Sequence, residues 1–455
     1  MPHSDPPASR DVPARLRRFR AALADSPPLW WALLYFFSLL CGYYVLRPVR
    51  DAMGSSGDAL TVFPRAWVTY ADAHGWDLTD FTLQLLFTGT FLGMLVLQPI
   101  YGALVSRFPR RVFLPVVYLV FIACLVGFFV AFHRDVPGRG AAFFVWTAVF
   151  NLFAVSVFWS FMADVFDNDH AKQVYGYIGA GGTIGALTGP MITRVLAERI
   201  GIGNLLLVSA AFLALCLLCI LKLRPWALRR ERLHGDESGE AAMGGSIWAG
   251  LRLVAREPLL RALALLMVFG VGIGTLLYNE QAAIARRFFA DDAARTAFYA
   301  NIDLAINGIA IVVQLFLTRW LLRRHGVGVT LMIPALAVLV GIALLAASPF
   351  PLLVAAVQVL TRAGEFSLGK PARETIYTRV PREWRYKAKA VIDTVIYRGG
   401  DLTFAWVHKA LSLFGSHIVF LGGVGVALAM TFGAWRVVRE QRNLPDTTSR
   451  RGVQA

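Results

Sequence analysis

Apolar segments about twenty residues long recur twelve times along this chain of 455 residues, and few folds tolerate them. A soluble protein of this size breaks such runs with polar faces. As helices, runs of about 20 residues match the roughly 30 Å hydrocarbon core of a bilayer. Helices also satisfy their own backbone groups, whereas the strands of a membrane barrel would alternate in polarity. The spans fall near 29–52, 81–104, 112–132, 141–163, 174–195, 204–223, 259–281, 297–322, 327–347, 350–366, 388–411 and 415–436. With 57% hydrophobic and 16% charged residues, the chain reads as an all-α polytopic membrane protein of about 12 transmembrane helices.

The net charge of +16 raises nucleic acid as a partner, but its distribution argues against one. About 32 Lys and Arg fall in one set of alternate loops, about 11 in the other, and two (Arg362 and Arg398) within spans. The richer set marks the cytoplasmic side. Both termini are therefore expected in the cytoplasm of a multi-pass protein of the bacterial inner membrane. Residues 1–28 read as a basic cytoplasmic arm carrying Arg15-Leu-Arg-Arg-Phe-Arg20, with no cleavable signal peptide. A six-helix half at 29–223 follows, then a linker at 224–258, a second half at 259–437 and a tail at 438–455. Within the linker, Ser246 to Arg256 is amphipathic and suits the inner interface.

Cys41, Cys124, Cys216 and Cys219 all lie in apolar spans. Cys216-Leu-Leu-Cys219 has zinc-like spacing but lacks the second Cys or His pair that a zinc site needs, so no metal and no cofactor is expected. The histidines fall in loops or near span ends. No nucleophile–base constellation stands out, which argues against an enzyme. The glycines Gly176, Gly179, Gly181, Gly182, Gly185 and Gly189 lack the strand–turn–helix context of a dinucleotide site and instead suit close helix packing.

Internal repetition carries the domain organisation. Ala171-Lys-Gln-Val174 followed by Gly181-Gly182 recurs 217 residues later as Ala388-Lys-Ala-Val391 followed by Gly399-Gly400. The basic turn before Leu114-Pro115 recurs 219 residues later before Ile333-Pro334. Leu33-Leu-Tyr-Phe-Phe37 with Gly42 aligns with Leu265-Leu-Met-Val-Phe269 with Gly274. Three matches in one order indicate a duplicated six-helix unit, whose two copies would meet around a cavity at the membrane midplane.

Charges inside spans are costly and point to function. At the end of span one, Tyr43, Arg47 and Arg50 share a helical face and offer a fork of donors to an anion, with Pro48 loosening the helix. In span seven, Glu280 aligns with the position beside Arg47, which suggests an ion pair between the halves or a proton-binding carboxylate. In span eleven, Arg398 and Asp401 are spaced to neutralise each other, with Asp393 upstream. Arg362 and Glu365 of span ten have the same spacing and suit an inner-gate salt bridge. Asp303 in span eight suits a coupling proton.

Two resemblances extend this reading. Gly102-Ala-Leu-Val-Ser-Arg-Phe-Pro-Arg-Arg111 is similar to the turn between the second and third helices of major facilitator transporters. Asp164-Val-Phe followed by Lys172 and Gly176 is similar to the turn after their fourth. More narrowly, Leu46-Arg-Pro-Val-Arg-Asp51, Phe158-Trp159, Gly181-Gly182 and Lys387-Ala-Lys-Ala-Val-Ile-Asp393 resemble the ATP/ADP translocase (nucleotide exchange) family of plastids and bacteria. That likeness implies the major facilitator fold and nucleotide antiport, with Arg50 where the family has a phosphate-binding lysine. The chain departs from it twice. Thr147 and Asn151 stand where the family's fourth helix has a carboxylate, and Asp401 stands where its eleventh has a lysine.

The expectation is alternating-access transport of a small organic anion, such as a nucleotide or another phosphorylated metabolite. Tyr43, Arg47, Arg50, Asn151 and Arg398 would bind it, and Glu280, Asp303, Arg362, Glu365, Asp393 and Asp401 would couple or gate. The expected partners are that anion, the lipid bilayer and a coupling proton, and the chain is expected to act as a monomer. Proton-coupled export of an amphiphilic or cationic compound, and a non-transporting scaffold or sensor, stay open as alternatives.

Overall fold

The computed structural model describes residues 27–107, 110–166, 168–234, 247–381, 384 and 388–442. The N-terminal arm, residues 235–246 of the linker, Lys387 and the tail from 443 lie outside the described residues, as do the side chains of 98–112 and Lys172. Twelve helical rods account for most of the described chain, with no strand among the described residues. They are α1 (Pro28–Gly54), α2 (Thr82–Arg107), α3 (Arg110–His133), α4 (Arg139–Val165), α5 (Asn168–Ile200), α6 (Ile202–His234), α7 (Pro258–Phe288), α8 (Asp292–Arg324), α9 (Gly326–Ala347), α10 (351–378), α11 (389–412) and α12 (Ser416–Gln441). A short helix, Ile247–Arg256, precedes α7 where the amphipathic stretch is predicted.

Ten of these rods are long and apolar enough to cross a membrane; α5 and α11 stand outside that set. Their position explains their composition. α5 packs on α1 and across the molecule on α8, while α11 packs on α7 and across on α2. Held between other helices, they can carry glycine and charge that lipid would not tolerate.

Packing repeats along the chain. α1 lies against α5 and α6, and α7 against α11 and α12. One apolar core draws on α1 and α3–α6, and a separate one draws on α7 and α9–α12. In the first, the glycines of α5 bring it into backbone contact with α1. A Cβ on Gly185 would lie 2.4 Å from the carbonyl oxygen of Phe37, and one on Gly189 would lie 2.7 Å from that of Cys41. Hydroxyls then fasten α1 from two sides: Thr193 donates to the carbonyl of Val45 at 3.2 Å and Ser209 to that of Gly42 at 3.0 Å. The helix that bears Tyr43, Arg47 and Arg50 is thus clamped on either side of Tyr43, just before the arginines.

Among the described residues of the second half, π turns run over Gln314–Thr318 in α8, Glu365–Gly369 in α10 and Ile392–Ile396 in α11. The first two face each other. Pro371 has no N–H for the carbonyl of Ser367, four residues earlier. The hydroxyl of Thr318 takes that place at 2.8 Å, and Gln314 Nε2 donates to the carbonyl of Phe366 at 2.9 Å. Span ten, expected to stop near 366, therefore continues as helix to Thr378, because the π turn absorbs the proline.

The bundle is closed at the end where α1 stops and α2 starts. Val62, Phe63, Leu83, Leu86 and Phe144 meet Tyr278 and Ala282 of α7 in one apolar cluster. Polar bonds reinforce it across the halves. Gln84 Nε2 donates to the carbonyl of Ala405 at 3.1 Å and to Asn279 Oδ1 at 3.3 Å. Arg286 donates to the carbonyl of Thr79 at 3.0 Å.

Candidate functional site

Beneath this seal the two halves enclose a cavity of about 720 Å³. Tyr43, Arg47 and Arg50 of α1, Asn151 of α4 and Arg398 of α11 all line it, as do Arg362 and Asp401. Lys370 lines it too, although no sequence argument singled it out as a site. Among the described residues, five cations thus face the cavity against one lining carboxylate. Aromatic faces hold three of the guanidinium groups: Arg47 lies over Tyr44 at 5.6 Å, Arg50 over Phe144 at 5.1 Å and Arg398 over Tyr397 at 5.4 Å. Such stacking fixes the planar groups without consuming their N–H donors.

Three of the cations have a carboxylate partner. Arg47 pairs with Asp303 of α8 at 3.3 Å, in the opposite half, with side chains 9% and 4% exposed. Only Oδ1 of Asp303 is engaged; its buried Oδ2 has no hydrogen-bond partner. Arg50 donates from Nε at 2.8 Å and from Nη2 at 2.5 Å to Oδ1 of Asp51, which also accepts the Tyr278 hydroxyl at 2.9 Å. Arg398 pairs with Asp401 at 3.2 Å, and Thr275 donates to the other Asp401 oxygen at 3.0 Å. Arg362 and Lys370 have no carboxylate within salt-bridge distance among the described residues.

Several expected pairings are different in the structure. Glu280 does not meet Arg47; it bonds His408 of α11 at 2.9 Å, within its own half. His408 is accordingly buried, where a loop or span-end histidine was expected. Asp303 is not a lone acid but the partner of Arg47. Arg362 does not pair with Glu365, because Arg373, on the far side of the π turn, grips both its oxygens. Glu365 and Asp393 do not line the cavity, and Asp393 is exposed near the Lys389–Glu374 pair. No cluster of His, Cys, Asp and Glu suited to a metal occurs among the described residues.

Comparison with known proteins assigns this architecture. Residues 52–400 match the family model described as Major Facilitator Superfamily. The chain belongs to the Major Facilitator Superfamily. It is a multi-pass membrane transporter and not an enzyme. It is 23% identical to the ADP,ATP carrier protein 1, chloroplastic, of Arabidopsis thaliana, over 88% of this chain and 71% of that one. Its fold is similar to that of a mutant of the nucleoside transporter NupG, with a TM-score of 0.61 at 13% identity over 90% of this chain and 99% of that one. A POT family transporter in complex with 5-aminolevulinic acid gives a TM-score of 0.60 at 12% identity over 89% and 94%. In this superfamily member, the residues that sequence reasoning missed were reachable only through partners. Asp51 stands beside Arg50 in the same motif, but Tyr278 and His408 acquire their roles from neighbours 227 and 128 residues away.

Proposed function

We propose that this transporter carries a small organic anion bearing about two negative charges, of the phosphate-monoester or nucleotide kind, by alternating access across a bacterial inner membrane. The observation that carries this reading is the charge of the cavity. Asp303, Asp51 and Asp401 offset Arg47, Arg50 and Arg398, while Arg362 and Lys370 are left over. A phosphate monoester carries about −1.5 to −2 charges at neutral pH and matches that surplus. A cationic cargo would meet the same surplus as repulsion. The 23% likeness to a plant ADP,ATP carrier leans the same way.

In this reading Arg47, Arg50, Arg362, Lys370 and Arg398 hold the anion, and Tyr43 and Asn151 add hydrogen bonds. Asp303 and Asp401 act as counter-ions that the cargo displaces. The distribution of basic loops supports cytoplasmic termini, and in this reading the sealed end faces outward and the cavity opens inward. The test is thermal stabilisation of the purified protein by phosphorylated anions, sugar phosphates and nucleotides included, against cations of similar size. Stabilisation by the anions, lost in Arg50→Ala, supports the reading and is followed by counterflow in liposomes. Stabilisation by cations alone overturns it.

A further inference from the structure

The main cavity has a side chamber. Between α7, α9, α10 and α12, inside the second half, lies a pocket of about 110 Å³. Arg362, Phe366, Tyr397 and Asp401 line both spaces and so form the wall and mouth between them. Beyond that mouth the lining is mainly apolar, with Met267, Val271, Leu331, Val338 and Met430 around the back. The Glu365–Arg373 ion pair lines one side of it, and one buried hydroxyl, Thr361 Oγ1, has no hydrogen-bond partner.

Glycine creates this chamber, and for an unusual reason. Gly185 and Gly189 of α5 are needed because a neighbouring backbone occupies the space of their missing side chains. On α7, Gly270 and Gly274 are also four residues apart and line the chamber. A Cβ on Gly274 would meet nothing within 4 Å, and one on Gly270 would meet the flexible Met430 Sδ at 3.6 Å. Neither glycine has a positive φ. No packing or backbone demand accounts for them, and their effect is to keep an apolar space open beside a cationic one.

We infer that this chamber is the subsite for a compact apolar group on the transported anion, a small ring or a branched alkyl chain, whose charged end lies at Arg362 and Arg398. The inference deepens the anion reading above and rests on it. The carboxylate at the mouth does not bar an anion, because Thr275 donates to Asp401 and Arg362, which has no carboxylate partner among the described residues, shares the mouth with it. The volume is somewhat below the roughly 150 Å³ of an apolar cavity known to take benzene, so a ring enters with its point of attachment in the mouth. Thr361 supplies one hydrogen bond to a polar atom on that group. An apolar pocket of this kind discriminates by about 10–200-fold for each methylene that it accepts or lacks.

The experiment compares methyl phosphate with phenyl phosphate on the full-length purified protein, reading apparent affinity from thermal stabilisation. Phenyl phosphate is expected to bind at least tenfold more tightly. Gly274→Leu fills the chamber and is expected to bring phenyl phosphate down to within about twofold of methyl phosphate. Gly270→Val fills it from the neighbouring turn and decides the matter should Gly274→Leu fail to fold. Equal affinities in the unaltered protein, or a preference that survives both substitutions, overturn the subsite while leaving the anion reading intact. Failure of both phosphates to stabilise the unaltered protein overturns the anion reading and the subsite with it.

Discussion

Asp303→Asn tests the role assigned to the pair that joins the halves. Arg47 and Asp303 lie 3.3 Å apart and are almost fully buried, so cargo reaching Arg47 must compete with Asp303. Opposite charges about 4 Å apart at an effective dielectric of about 20 attract by about 4 kcal/mol. Desolvation offsets much of that, and the Asn dipole retains part of the contact. A net of about 1.4–2.7 kcal/mol then remains for the anion to recover, equal to about 10–100-fold in affinity. The substitution is therefore expected to tighten anion binding at least tenfold while slowing exchange, because the empty carrier loses a bond between its halves. Stability should fall by less than the roughly 3–5 kcal/mol of a fully enclosed pair, since Arg47 also faces the cavity. Affinity is read by thermal stabilisation and exchange by counterflow in liposomes. In an Arg47→Ala background the same change should leave affinity unaltered, as a double-mutant cycle requires. Unchanged or weaker anion binding in Asp303→Asn, with the fold retained, would refute the competition.

Two further outcomes follow from the packing. Tyr278→Phe removes the hydroxyl that Asp51 accepts across the halves at 2.9 Å, a bond to a charged group worth about 1.5–3 kcal/mol. The sealed end should open more often, so a cysteine at Thr79 should react several-fold faster with an impermeant maleimide, and unaltered labelling would count against this bond as a closure contact. Gly185→Ala puts a Cβ 2.4 Å from a backbone oxygen and should cost about 1–3 kcal/mol in thermal unfolding. Gly176→Ala, with nothing within 4 Å, is the matched control, and equal losses in the two would show that close approach is not the reason for Gly185.

What was legible in the sequence, and what was not, follows from range. Ten of the rods could be read from apolar runs because a bilayer imposes one length on every span. The arginines of the cavity stood out because a charge within a span is rare enough to notice. Their partners did not stand out. Spacing of three residues suggests a pair on a regular helix, and Arg398–Asp401 obeys that rule. Arg362 and Glu365 break it, because the π turn that begins at Glu365 re-phases the helix beyond it and Arg373 takes the carboxylate. The only local hint is Pro371, which an α-helix would resist. Glu280 finds His408 and Arg47 finds Asp303 through helix packing, on which the order of residues along the chain is silent.

The cavity's cations divide by what it costs to move them. Arg362 and Lys370 have no carboxylate partner among the described residues, so an anion can reach them without breaking anything. Arg47 and Arg50 differ, because both of their counter-ions sit on contacts between the halves. Asp303 belongs to α8 and holds α1 through Arg47, and Asp51 holds Tyr278 of α7. An anion that draws these arginines away loosens the bonds that keep one end closed. A ligand shifts a conformational equilibrium only by its difference in affinity for the two states. In the proposed mechanism that difference arises at Arg47 and Arg50 and not at Arg362 and Lys370. A cargo satisfying only the second pair would bind without being carried; one that also reaches the first pair would release the seal and cross.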